Sequence, residues 1–307
     1  MATPANSAPL TAEPAAAAAH FSSLVEALRP GQWVKNGFVF AGLIFGQRLT
    51  EPRHVLLAAL AAADFCMLSS AAYLVNDVLD CTADRQNPLK RLRPVASGRL
   101  PARTALLAAV LLALVALAGA WQLDRSFFLV AAFYVVLNLA YSAYLKRVML
   151  VDVFMIAGGF VLRVVGGAVV IHVPMSSWLI VCTTLLALFL ALSKRRHELV
   201  VLDDAAARRV SLAPYSAYFL DQLMVIVTAS TVMSYVLYTL SADVRTKFPG
   251  KRLELTVPFV LFGIFRYLFL VHRREEGGNP ARLLFTDPVL LTTVVLWAVS
   301  VVLLIYL

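Results

Sequence analysis

Apolar residues run along this chain in stretches of about twenty, separated by short polar clusters. The stretches lie at about 36–49, 55–76, 103–122, 126–145, 150–172, 175–193, 218–241, 255–271 and 285–306. A helix of roughly 17–25 apolar residues crosses the hydrocarbon core of a bilayer. The pattern therefore predicts an all-α, polytopic membrane protein with about nine transmembrane helices, the first of them short and Gly-containing. No internal repeat is visible. Residues 1–22 are rich in Ala and Pro and lack a basic n-region followed by a separate apolar core. They are expected to form a disordered tail rather than a signal peptide, leaving 23–307 as a single transmembrane catalytic domain.

Composition agrees with this division: 61% of residues are hydrophobic, 15% are charged and mean hydropathy is +0.80. The net charge of +9 reflects the loops. With a cytoplasmic N-terminus and nine spans, the cytoplasmic loops carry more than twice the cations of the opposite loops, the asymmetry expected at the inner face of a cell membrane. No nucleic-acid partner is implied. Cys66, Cys81 and Cys182 are solitary and read as small core residues in a reducing setting.

The densest chemistry sits where the second stretch ends, in the run NDVLDCTAD. On a helix Asp77, Asp80 and Asp84, spaced three and four apart, share a face, with Asn76 one turn below Asp80. Hard oxygens aimed together suit Mg2+, and Mg2+ commonly brings a substrate phosphate. Asn76, Asp77, Asp80 and Asp84 are thus the candidate metal ligands, and Arg85, Lys90, Arg91 and Arg93 just beyond offer phosphate partners.

Other polar clusters lie on the same predicted side. Lys35 follows Arg29 and Trp33 at the start of the first stretch. Tyr141, Ser142 and Lys146 close the fourth, and Asp152 opens the fifth. Arg163 lies deep within that fifth stretch, where an ionisable residue needs a partner or a function. Gly159 and Gly167 leave its face open to a ligand or a packed helix. Asp152, eleven residues earlier, shares that face and is a candidate partner. Lys194, Arg195 and Glu198 end the sixth stretch, with Asp203 and Asp204 beyond, making a second anion and metal site plausible there. Arg266 lies within the eighth stretch, near enough to its end to snorkel; with Tyr141 and Asp152 it is a further candidate substrate-binding residue. No Ser-His-Asp set, Cys-His pair, Walker loop or zinc spacing occurs, so the chemistry must rest on metal and phosphate electrostatics. A solute transporter is the reading from another class. It is disfavoured because polarity gathers on one side instead of at the midplane of repeated halves.

The N-D-x-x-D-x-x-x-D run after the second stretch, the Y-S-x-x-x-K run after the fourth and the nine-span layout resemble the UbiA superfamily of intramembrane prenyltransferases. RPGQWVKN, NPLKRLRPVASG, SKRRHEL and VPFVLFGIFRYL are most similar to its decaprenyl-phosphate phosphoribosyltransferase branch. That resemblance implies a UbiA-like bundle and a Mg2+-dependent transfer of a 5-phosphoribosyl unit. The unit passes from phosphoribosyl diphosphate to a polyprenyl (decaprenyl) phosphate, releasing diphosphate, for cell-wall arabinan precursors. Asp77, Asp80 and Asp84 would then hold the metal on the leaving group, and Lys35, Lys146 and Arg163 would clamp diphosphate or acceptor phosphate. Asp84 or Glu198 would stabilise the cationic sugar. Where typical aromatic prenyltransferases carry a second acidic motif, this chain has Lys194, Arg195, Arg196, His197 and Glu198. Cations there suit a donor with an extra phosphate monoester. Prenyl transfer to an aromatic acceptor, in quinone or haem biosynthesis, remains the alternative. The Gly158–Gly159 and Gly166–Gly167 pairs suit helix packing within one chain or between two, which leaves a homo-oligomer open.

Overall fold

The computed structural model describes residues 21–88, 90–201, 215–273 and 277–307, apart from the side chain of 201. Among these there is no strand. The N-terminal tail falls outside them except for its last two residues, which open a helix over residues 21–28. Among the described residues eight helices are long and apolar enough to cross a membrane: α1 (Pro52–Leu79), α2 (Ala102–Leu123), α3 (Arg125–Ala143), α4 (Val151–Val170), α5 (Ser177–Val201), α6 (Ala217–Leu240), α7 (Val257–Arg273, whose span starts in the 3-10 turn Leu253–Thr256) and α8 (Pro288–Tyr306). Each matches a predicted stretch. Pro sits in the first turn of α1 and α8, where its missing N–H costs nothing. The side chains of Asp124, Ser216 and Asp287 cap α3, α6 and α8.

The first predicted span differs in kind. It is a 3-10 helix over Pro30–Phe40 followed by a short α-turn, Ala41–Phe45. At about 2.0 Å rise per 3-10 residue and 1.5 Å per α-residue, this leading segment extends about 30 Å, as far as a much longer α-helix. It packs against α1 and α4. Close approach is permitted at Gly167, where a Cβ would lie 1.9 Å from the Val39 carbonyl oxygen, and at Gly42, where one would lie 2.9 Å from the Ala168 Cα.

Sequential helices are neighbours: α1 packs on α2 and α3, α4 on α3 and α5, α5 on α6, and α7 on α8. Outward faces carry exposed Leu, Val and Phe, such as Leu107, Leu111 and Leu114 on α2, as lipid contact requires. The chain is a multi-pass membrane protein.

Candidate functional site: an acid-base rim over a cationic cavity

At the end of α1 the helix breaks at Asp80 (φ −92°, ψ 2°) and resumes as a short turn, Cys81–Gln86. The loop after it folds back underneath. Arg85 Nε donates to the Ala96 carbonyl at 2.9 Å, and Val95 and Ala96 are buried. Lys90 lies half-buried on the same loop. Arg93 is thereby brought against the aspartates, with Nη1 at 2.6 Å from Asp84 Oδ2 and 3.3 Å from Asp77 Oδ1. Arg29 Nη2 reaches Asp77 Oδ1 at 2.5 Å. From the turn after α3, Lys146 Nζ reaches Asp80 Oδ1 at 2.5 Å and Asn76 Oδ1 at 3.3 Å. The predicted cluster is assembled, and each of its carboxylates meets a cation.

Among the described residues no three Asp, Glu, His or Cys side chains converge as a metal-binding group. Two observations nonetheless fit a divalent ion. Arg93 already places one positive group between Asp77 and Asp84, so both can reach one cation. Asp77 is almost wholly buried and its Oδ2 has no hydrogen-bond partner among the described residues, a hard oxygen of the kind Mg2+ takes.

Beside the rim lies a cavity of about 650 Å³. Tyr73 joins the two: it lines the cavity one turn before Asp77, with the Arg29 guanidinium over its ring at 4.8 Å. On α5 the lining positions run from Trp178 through Cys182, Leu186 and Leu190 to Lys194, a row that winds gradually around the helix over about 24 Å. Farther from the rim the lining is aromatic, with Trp297 donating to the Tyr235 hydroxyl at 2.8 Å. Lys35, Arg163, Lys194 and Tyr141 line the cavity, as do Tyr134 and Asn138. No described lining residue is acidic.

Arg163 is buried and held by neutral oxygens. Its Nε donates to Asn36 Oδ1 at 2.7 Å, Nη1 to the Gly159 carbonyl at 2.7 Å and Nη2 to the Tyr134 hydroxyl at 2.8 Å. Its predicted partnership with Asp152 does not occur. Gly167 serves the Val39 backbone instead of clearing space for Arg163.

Asp152, Arg195, Glu198 and Arg266, expected to act on substrate, are engaged by protein groups and do not line the cavity. Asp152 and Arg195 are fully buried and paired at 2.8 Å (Nε to Oδ2), and Arg195 also pairs with Glu198. A buried guanidinium needs such compensation, which consumes the charge assigned to a phosphate. Burial pushes the Tyr215 phenol up to about 12, with Asp152 beside it adding to the rise, while the hydrogen bond from the Leu150 backbone opposes it. Arg266 binds Asp287 through two hydrogen bonds, of 3.1 and 2.6 Å, because the cap of α8 is a carboxylate that needs a cation. Of the run after the sixth span only Lys194 lines the cavity; Asp203 and Asp204 lie outside the described residues.

Sequence reasoning passed over Tyr134 and Asn138. A signal was present: Tyr134, Asn138 and Tyr141 recur at i, i+4 and i+7, a polar stripe on an otherwise apolar span.

Residues 37–287 match the UbiA prenyltransferase family. The chain is 32% identical over 286 residues to the decaprenyl-phosphate phosphoribosyltransferase of Mycobacterium tuberculosis (strain ATCC 25618 / H37Rv), covering 91% of this chain and 93% of that protein. It is 31% identical over 289 residues to the protein of the same name from Corynebacterium glutamicum, covering 92% and 86%. Its fold is similar to that of a UbiA homolog from Archaeoglobus fulgidus bound to GPP and Mg2+, with TM-score 0.68, 18% identity and coverage of 91% and 96%.

Proposed function

This chain belongs to the UbiA prenyltransferase family, and on that premise we propose that it transfers a 5-phosphoribosyl unit from phosphoribosyl diphosphate to a polyprenyl phosphate. The observation that carries the reading is the contrast in charge between rim and cavity. Lys35 and Arg163 line a long apolar cavity with no acidic described residue on its wall. Cations in such a place call for an anion with an apolar tail. A polyprenyl phosphate is that anion, and the names of the curated relatives agree with it.

The rim suits the donor. Asp77, Asp84 and, with Asn76, Asp80 would hold Mg2+, as the Archaeoglobus neighbour's bound ion suggests for the fold. When bound, the ion neutralises the charge that builds on the departing diphosphate. Arg29, Arg93 and Lys146 stand beside these carboxylates and complement the oxygens of the same diphosphate. The acceptor phosphate, anionic at neutral pH, attacks the anomeric carbon. The new bond forms from its oxygen, the bond to diphosphate breaks with its electron pair leaving on oxygen, and no proton need be removed. Tyr134 and Asn36 orient Arg163, and Arg163 with Lys35 holds the attacking phosphate. Of its run, Lys194 is the cation that lines the cavity, and it takes the donor's 5-phosphate. The rim and the soluble donor face the cytoplasm, following the loop charges.

Purified protein in detergent, given labelled phosphoribosyl diphosphate, Mg2+ and a polyprenyl phosphate, should yield a labelled lipid. Label passing instead from a prenyl diphosphate to an aromatic acid would replace this reading with aromatic prenyl transfer.

A further inference from the structure

The segment that delivers Lys146 to the rim is strained, and one hydroxyl from another part of the chain holds it. Between α3 and α4 the chain makes a short 3-10 turn, Leu145–Arg147. It then reverses at Leu150, whose backbone sits at φ 66°, ψ −41°. The Val151 N–H bonds the Met149 carbonyl at 2.8 Å. That is a γ-turn of the rare positive-φ kind, which a leucine adopts against its own sterics. Such strain persists only where surrounding contacts impose it, and it gathers at functional sites.

The imposing contact is Tyr215. The Leu150 N–H donates to its hydroxyl at 2.7 Å, and the hydroxyl donates to Asp152 Oδ1 at 3.0 Å. Asp152 is ion-paired through its other oxygen with Arg195, Nε to Oδ2 at 2.8 Å, and Arg195 Nη2 donates to the Tyr141 hydroxyl at 3.3 Å. Tyr141 belongs to α3, so this series of hydrogen bonds and one ion pair closes over both ends of the Lys146 turn. Tyr215 stands just before α6, is itself buried, and stacks on Phe219 with ring centroids 6.4 Å apart.

We propose that Tyr215 is a positioning residue for Lys146: its hydroxyl holds the strained Leu150 turn, and the turn keeps the Lys146 ammonium on Asp80 and Asn76. Asp152 and Arg195 act in the same strap, fixing the hydroxyl instead of binding substrate. The role assigned to Lys146 in donor binding rests on the reading above, whereas the strap and the turn it holds do not.

The test is a double-mutant cycle with Tyr215→Phe, which keeps the ring and its packing, and Lys146→Met. Tyr215→Phe should lower kcat/KM for the Mg2+-bound donor about tenfold, as loss of one hydrogen bond of this class does, with Tm within a few degrees of wild type. The double variant should be no worse than Lys146→Met alone, because both changes act through one ammonium. Adding Leu150→Gly to Tyr215→Phe should recover activity, since glycine adopts this φ without strain. Losses that multiply in the double variant, full activity in Tyr215→Phe, or no recovery with Leu150→Gly would each overturn the proposal. If wild-type protein does not turn over phosphoribosyl diphosphate, the functional reading fails separately. The same cycle is then read from Mg2+-diphosphate affinity by calorimetry, with the same outcomes deciding.

Discussion

The rim and the cavity use the same residue types in opposite ways. At the rim Asp77, Asp80 and Asp84 each face a cation, from Arg29, Arg93 or Lys146. In the cavity Arg163 meets neutral oxygens and the rings of Phe65, Tyr134 and Phe160, and neither it nor Lys35 on the same wall has an ion pair among the described residues. A balanced cluster can accept a metal ion and an anionic ligand together, because the two additions cancel. An unbalanced cation in an apolar cavity is costly until an anion arrives. Under the proposed function, the difference would place the metal-bound diphosphate at the rim and the lipid phosphate in the cavity.

Breaking the rim should have the largest effect. Asp77→Ala or Asp84→Ala leaves Arg93 and Arg29 short of a counter-charge and removes a metal donor, so turnover should fall about 100- to 1000-fold, on the scale of losing a preorganised group at a developing charge. A radiolabelled-donor assay, with and without chelator, checks this; a variant that still responds fully to Mg2+ would remove its aspartate from the site.

Breaking the cavity separates two roles. Lys35→Met should weaken binding of a polyprenyl phosphate roughly 10- to 150-fold, the range for charge-assisted contacts, and raise the Tm of the ligand-free protein, because a desolvated charge is removed. Arg163→Met should weaken binding as well but lower Tm, because Asn36 and Tyr134 lose a buried partner. Equal thermal behaviour of the two variants would mean that Arg163 is not structurally engaged as described.

Two smaller changes probe the leading segment, which carries Lys35 and Asn36 between the regions. Gly167→Ala drives a Cβ onto the Val39 carbonyl and should cost about 1–3 kcal/mol, as overpacking does, with loss of lipid binding following the displaced Asn36. Trp33→Phe removes the indole bond to Ser70 Oγ at 3.0 Å and should cost about 1 kcal/mol of stability, with donor affinity retained. Thermal unfolding followed by fluorescence reads both.

The sequence made the spans legible because an apolar run of bilayer length has few other uses. It made the gathering of the aspartates legible because acids spaced three and four apart at a helix exit turn to one side. The leading segment was harder: its 3-10 rise lets a short run extend far, and length alone cannot reveal that. Pairing was harder still. Eleven-residue spacing puts Asp152 and Arg163 on one face, but only tertiary packing decides that Asp152 meets Arg195 and that Arg163 meets Asn36. Tyr215 gave no local signal at all, since its partner is a backbone N–H exposed by a strained turn sixty-five residues earlier.

The measurement that tests the two-compartment account most directly is equilibrium binding of each substrate alone, with and without Mg2+, to wild type and to Lys35→Met. The account predicts that chelation abolishes binding of phosphoribosyl diphosphate and spares polyprenyl phosphate, while Lys35→Met weakens the lipid and spares the donor. Loss of both ligands on chelation, or direct competition between free diphosphate and the lipid phosphate, would contradict it.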